Sequence, residues 1–114
     1  MRMSVKDRLV IGNLYPAQGN ILQQTLVRDI VKKVEVTQDE MKQIQLAPLE
    51  GGPGMKWDPE EASKLGEKEV VFTEAELNLL KEQVSRVDRE NKITLGLLDL
   101  CLKIREEKTG GKKE

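Results

Sequence analysis

The chain has 114 residues, with 19 basic and 20 acidic side chains and a net charge of −1. This length predicts one domain, over residues 1–107, and the balanced charge lacks the basic field that attracts nucleic acid. Histidine is absent and Cys101 is the single cysteine, which excludes an internal disulfide and removes the commonest general base and metal ligand. Because no apolar run is long enough for a membrane span or a signal peptide, we expect a soluble cytoplasmic protein.

Two helices are predicted in the N-terminal third. Ser4, followed by Asp7 three residues later, predicts the cap of a short helix that Pro16 ends. Asn20 is the predicted cap of a longer helix, in which apolar residues recur every three or four positions. The expected buried stripe of this second helix consists of Leu22, Leu26, Val27, Ile30, Val31 and Val34.

The middle of the chain predicts a small antiparallel sheet between about residues 44 and 72. Thr37 and Glu40 first predict a helical turn, after which QIQLAPLE and MKWD predict two strands of a hairpin joined by glycines and a proline. The run EKEVVF predicts a third strand, which we expect to join the hairpin in a single sheet. Between them, Asp58 and Pro59 are compatible with either a short helix ending at Gly66 or a loop.

Two helices are predicted to form a C-terminal α-hairpin. Thr73 and Glu76 make a capping box before apolar residues spaced by three and four, and Thr94 is the predicted cap of the last helix. The tail, residues 108–114, has no apolar residue and is predicted to be disordered and charged. The fold class predicted for the whole chain is therefore α+β, with N-terminal helices, a small antiparallel sheet containing a Gly/Pro hairpin, and the C-terminal α-hairpin.

The last helix has more apolar residues than one buried face needs. Leu95, Leu98 and Leu102 lie on one side, while a second set extends the apolar surface around the cylinder. That second set either packs inside the domain or is covered by another chain. Its members that we select as candidate interaction residues are Leu97, Leu100 and Ile104.

The glycine cluster in GGPGMKW raises the question of a phosphate-binding loop. A Walker-type loop needs two glycines separated by four other residues and followed by Lys and then Ser or Thr, but here Met55 precedes Lys56 and Trp57 follows it. A hairpin turn is therefore the favoured interpretation. Trp57 is either part of the core or an exposed anchor for a protein partner, so Trp57 and Met55 join the candidate interaction surface.

No catalytic, cofactor or metal site is predicted. Cys101 lies among leucines, where a thiol behaves as a small hydrophobe, and the acidic pairs Asp39-Glu40, Glu60-Glu61 and Glu106-Glu107 lie at predicted helix ends, where carboxylates are common. The basic clusters, Lys32-Lys33 and the tail lysines, have no interleaved aromatic residues to stack on bases.

Four segments give the chain a resemblance to small proteins of tailed bacteriophages and prophages. They are RLVIGNLYPAQGN, TLVRDI, KWDP and FTEAELNLL. The resemblance implies a phage or prophage origin and an accessory or assembly factor. Together with the composition, it makes a non-enzymatic phage-type accessory protein acting through protein-protein contacts the leading hypothesis, as an assembly component or as a regulator of a host protein. The expected partner is a protein, either self or host, in the host cytoplasm or the virion, and the apolar excess of the last helix makes a homo-oligomer one form of that contact. A nucleic-acid-binding accessory protein is the alternative, and an enzyme is disfavoured by the composition.

Overall fold

The predicted α+β fold is confirmed by the computed structural model, which describes residues 1–51 and 54–107. The predicted disordered tail, residues 108–114, lies outside the described residues, as do Gly52 and Pro53 of the hairpin tip. The helices are α1 (Val5–Val10), a 3-10 helix (Ile11–Leu14), α2 (Ile21–Val34), α3 (Gln38–Gln43), α4 (Pro59–Leu65), α5 (Glu74–Arg89) and α6 (Leu95–Glu106). The strands are β1 (Arg2–Met3), β2 (Ala47–Pro48), β3 (Met55–Lys56) and β4 (Lys68–Glu69).

Helix starts follow the predicted caps. Capping boxes are present at α1, α2, α3 and α5, where each cap side chain accepts from the backbone N–H three residues on and the residue there accepts from the cap N–H. Asp58 accepts from the N–H groups of Glu60 and Glu61 and precedes Pro59, so the helix at α4 forms rather than a loop. Thr94 precedes α6 without a side-chain cap hydrogen bond.

The prediction of one sheet is wrong, because the structure contains two separate two-stranded antiparallel sheets. The predicted hairpin forms, with β2 paired to β3 through Ala47 opposite Lys56 and Pro48 opposite Met55. The strand expected to join it pairs instead with the N-terminal β1, which was not predicted. This pairing accompanies the burial of Met3 and Val70 in the helical core, where removing their apolar surface from water favours folding.

The main core lies between α2, the 3-10 helix, and the antiparallel pair α5 and α6. We define the main core by its buried members Met3, Ile11, Leu14, Ile30, Val34, Val70, Leu79, Leu80, Val84, Val87, Leu97, Leu100, Cys101 and Ile104. Helix α2 contributes less than predicted, because Leu22 and Val31 of its expected stripe are exposed. Its N-terminal turn therefore extends past the core into solvent.

A second region, the middle segment (residues 35–66), contains α3, the β2-β3 hairpin and α4. Helix α4 lies against α1 and α3, and neither α3 nor α4 has a fully buried residue. Val36 and Ile44 are buried here, with Val5 of α1, outside the main core. The middle segment is thus a thin layer on α1, whereas α5 and α6 form the body of the domain.

Candidate interaction surface

The inner face of α6 belongs to the core. The exposed fractions of Leu97, Leu100 and Ile104 are 4%, 1% and 0%, so these three candidate interaction residues are not on the surface of the chain. These three residues therefore match the alternative in which the second apolar set of α6 packs inside the domain. The spacing of three and four residues places them, with Cys101, on the side of the helix that meets the main core.

The opposite side of α6 carries leucines that are wholly or partly exposed. Leu95 is 86% exposed, Leu98 is 37% exposed and Leu102 is half-buried; we call these three the outer leucine face. Two sets of apolar residues with the same spacing lie on α6, and only the position of α5 decides which set turns inward. The excess of leucine noted in the sequence therefore reaches the surface, but through the other set.

A shallow groove between α5 and α6 borders the outer leucine face. Its apolar lining comes from Val84, Ile93, Leu98, Cys101 and Leu102. Its polar lining comes from Ser85, Asp88 and Arg105. We call this feature the α5–α6 groove. Its rim combines apolar contact area with one acidic and one basic side chain.

Cys101 lies in the floor of the α5–α6 groove and is 2% exposed. Burial raises the pKa of its thiol, and the negative charge of Asp88 raises it further. A thiol with a raised pKa is a poor nucleophile, because the thiolate is the reactive form. Cys101 contributes packing to the groove.

The β2-β3 hairpin carries the other predicted interaction residues. Met55 is 46% exposed, Leu49 near the tip is also exposed, and Trp57 is half-buried. Trp57 therefore lies between its two predicted environments, being neither fully enclosed nor free. The β2-β3 hairpin is held by a ladder of two residue pairs, whereas α6 is a helix of twelve residues that packs on the main core.

The buried charged side chains that the structure describes form ion pairs that connect different elements of the fold. Arg8 donates to both carboxylate oxygens of Glu40, at 3.0 and 2.9 Å, and to the carbonyl oxygens of Val34 and Glu35, at 3.2 and 2.7 Å. These hydrogen bonds lower the pKa of Glu40 to about 2. Arg8 thereby joins α1 both to α3, through Glu40, and to the C-terminal end of α2.

Two lysines pair with buried carboxylates in the same way. Lys103 donates to Asp7 at 2.6 Å, and Lys33 donates to Glu76. Burial alone would lower the pKa of Lys103, but Asp7 and Glu67 together raise it. Asp7 and Glu76 also accept hydrogen bonds from the cap N–H groups of Ser4 and Thr73 in the capping boxes of α1 and α5, so each buried carboxylate has both hydrogen-bond and ion-pair partners.

Among the described residues, the acidic pairs singled out in the sequence lie on three different helices, α3, α4 and the end of α6. Asp39, Glu60 and Glu61 lie in the first turns of α3 and α4, where carboxylates are favoured by the helix dipole. Among the described residues, no group of three or more potential ligands is arranged to hold a metal ion. None of the helices that the structure describes is both long enough and apolar enough to cross a bilayer.

Comparison with known proteins adds no relative to this description. No protein-family model, curated protein or solved structure matches the chain.

Proposed function

We propose that this chain is a non-enzymatic interaction protein that binds a protein partner through the outer leucine face and the α5–α6 groove. The observation that carries the proposal is the position of Leu95 and Leu98, which are exposed on a helix whose opposite side is fixed in the main core. Removing apolar surface from water is favourable by about 25 cal/mol per Å². A rigid helix that presents leucines to solvent therefore gains by being covered.

The partner class follows from the composition of the surface. Helix faces and grooves that carry leucine at helical spacing are the usual docking sites for another amphipathic helix. The rim charges, Asp88 and Arg105, would orient such a helix. By its resemblance to phage accessory proteins, we assign this binding to assembly in the virion or to regulation of a host protein in the host cytoplasm.

Site-directed photo-crosslinking tests the proposal. A photoreactive residue replaces Leu98 in one variant and Glu82, an exposed residue of α5, in the control, and both are irradiated in the organism that encodes the protein. We expect discrete protein adducts from position 98 that are absent from position 82. Mass spectrometry then identifies each adduct as another copy or a different protein.

Two results would contradict the proposal. Equal adducts from both positions would show that position 98 has no preferred partner, and a salt-sensitive shift of mixed DNA or RNA by the purified protein would favour the nucleic-acid alternative. Because the surface is apolar and the net charge is −1, we expect no such shift.

A further inference from the structure

The α5–α6 groove has a polarity of charge along its length. Asp88 lies in the last turn of α5, near the connection to α6, and Arg105 lies in the last turn of α6, at the other end of the antiparallel pair. Lys81 lies beside that second end, since its Nζ donates to the Arg105 carbonyl oxygen at 3.0 Å. Leu98 and Leu102 lie between the acidic and basic ends.

Neither charge of the groove is used within the described part of the chain. Asp88 and Arg105 form no ion pair with any described residue, although twelve such pairs occur elsewhere. Both residues are exposed. They are therefore available to a partner whose own charges run in the opposite direction.

We propose that the partner is a second copy of this chain, docked antiparallel so that the two α6 helices pack around a two-fold axis. This inference rests on the proposed function. A surface that is acidic at one end and basic at the other is complementary to itself after such a rotation. Asp88 of each copy then faces Arg105 of the other, and Leu98 packs against Leu102 across the axis. Leu95 is covered by the aliphatic part of the opposing Arg105.

The size of the surface sets the strength of this contact. Helix α6 has 12 residues and is therefore about 18 Å long, which gives an interface at the lower end of the range for specific complexes. We expect a reversible dimer in the micromolar range of dissociation constants, whose population rises with concentration. Salt should weaken the dimer, because it screens the Asp88–Arg105 pairs, which lie at the exposed rim of the interface.

Charge reversal at the two ends tests the geometry. In D88R the two facing charges are both positive, and in R105D they are both negative, so each variant alone should dimerise at least about tenfold more weakly than the unchanged chain. Mixed in equal amounts, the two variants regain both opposite-charge contacts and should form a heterodimer. Sedimentation equilibrium of each variant and of the mixture measures these masses.

Apolar substitutions provide the matched control. Leu95→Ser removes an exposed leucine from the proposed interface, and Ile21→Ser removes an equally exposed residue, 87% accessible, from the start of α2. Leu95→Ser should weaken the dimer severalfold while Ile21→Ser leaves the solution mass unchanged. Both variants should retain the thermal midpoint of the unchanged chain when measured at a concentration where it is monomeric.

The outcomes separate this inference from the proposed function. Rescue of the dimer by mixing D88R with R105D supports the antiparallel pairing. A chain that stays monomeric up to about 1 mM, or a dimer that both reversals leave intact, overturns it. If the photoreactive residue at position 98 then captures a different protein, the proposed function stands without self-association; if it captures nothing, both fail.

Discussion

The α5-α6 hairpin and the middle segment (residues 35–66) are held together in different ways. The hairpin supplies 16 and 12 helical residues and most of the main core, so hydrophobic burial fixes it. The middle segment has short helices with no fully buried residue and, among its described residues, buries only Val36 and Ile44, so polar contacts hold more of it. These contacts include the Arg8–Glu40 pair and a 2.7 Å bond from the Asp58 N–H to the Ile44 carbonyl oxygen. The α5-α6 hairpin is therefore expected to be the more rigid region, and the middle segment is expected to open first.

The largest expected effect comes from a substitution on the inner face of α6. Leu100→Ala creates a cavity in the main core and should lower the free energy of unfolding by about 3 kcal/mol, within the range seen for buried leucines. Leu95→Ala, on the outer leucine face of the same helix, should change it by less than about 0.5 kcal/mol. Urea unfolding at low protein concentration compares the two. Similar losses for both variants would contradict the assignment of inner and outer faces.

The second largest effect is expected from Arg8→Ala, which should loosen the middle segment more than the α5-α6 hairpin. Arg8→Ala leaves Glu40 without its cation and the Val34 and Glu35 carbonyl oxygens without a donor, so we expect a loss of about 2 kcal/mol or more. Hydrogen exchange should accelerate mainly in residues 36–51 and 54–66 and much less in α5 and α6. Arg28→Ala, which removes an exposed arginine, is the control. Uniform acceleration across the chain would show that the two regions open together.

The Arg8–Glu40 pair also predicts a dependence on pH. The pKa of Glu40 is about 2 in the folded chain against 4.5 for an unperturbed glutamate, so its contribution to stability is present above about pH 4.5 and is lost as pH falls toward 2. Glu40→Gln, which removes this titration, should therefore be less stable than the unchanged chain at pH 7, with a difference that shrinks below pH 4.5. Urea midpoints for both chains across this range give the comparison. A difference that stays constant with pH would contradict the assigned ion pair.

The smallest expected effect concerns Tyr15, which packs against the main core. The Tyr15 hydroxyl is buried without a hydrogen-bond partner among the described residues, and burial raises its pKa to about 12. Tyr15→Phe removes this unsatisfied group while keeping the ring, so stability should stay the same or rise by up to about 1 kcal/mol. Thermal unfolding measures the change. A clear loss of stability would indicate that the hydroxyl has a partner in solution.

Local signals in the sequence predicted more of this molecule than distant pairings did. The capping pairs act over three residues, so Asn20, Thr37 and Thr73 could be identified from the sequence alone. The β1-β4 sheet joins positions 2–3 to 68–69 through two-residue strands, which are too short to show an alternating pattern. Its existence depends on burial of Met3 and Val70 in a core that only the folded chain contains.

The leucines that α6 exposes are not the ones selected from the sequence as candidate interaction residues. The excess of apolar residues on α6 was visible in the sequence; of the two hairpin residues, Met55 is exposed and Trp57 is half-buried. Leu97, Leu100 and Ile104 share their spacing with Leu95, Leu98 and Leu102, so periodicity alone could not choose the buried set. The choice depends on where α5 packs, which is tertiary information.

Methyl NMR over a concentration series tests the central claim most directly, because it reports on individual side chains. If the outer leucine face is the docking surface and a second copy occupies it, the methyl signals of Leu95, Leu98 and Leu102 should shift together as concentration rises. The signals of Leu49 and Ile21, exposed elsewhere, should stay in place. Shifts confined to Leu49 or Ile21, or no shift up to about 1 mM, would contradict the account.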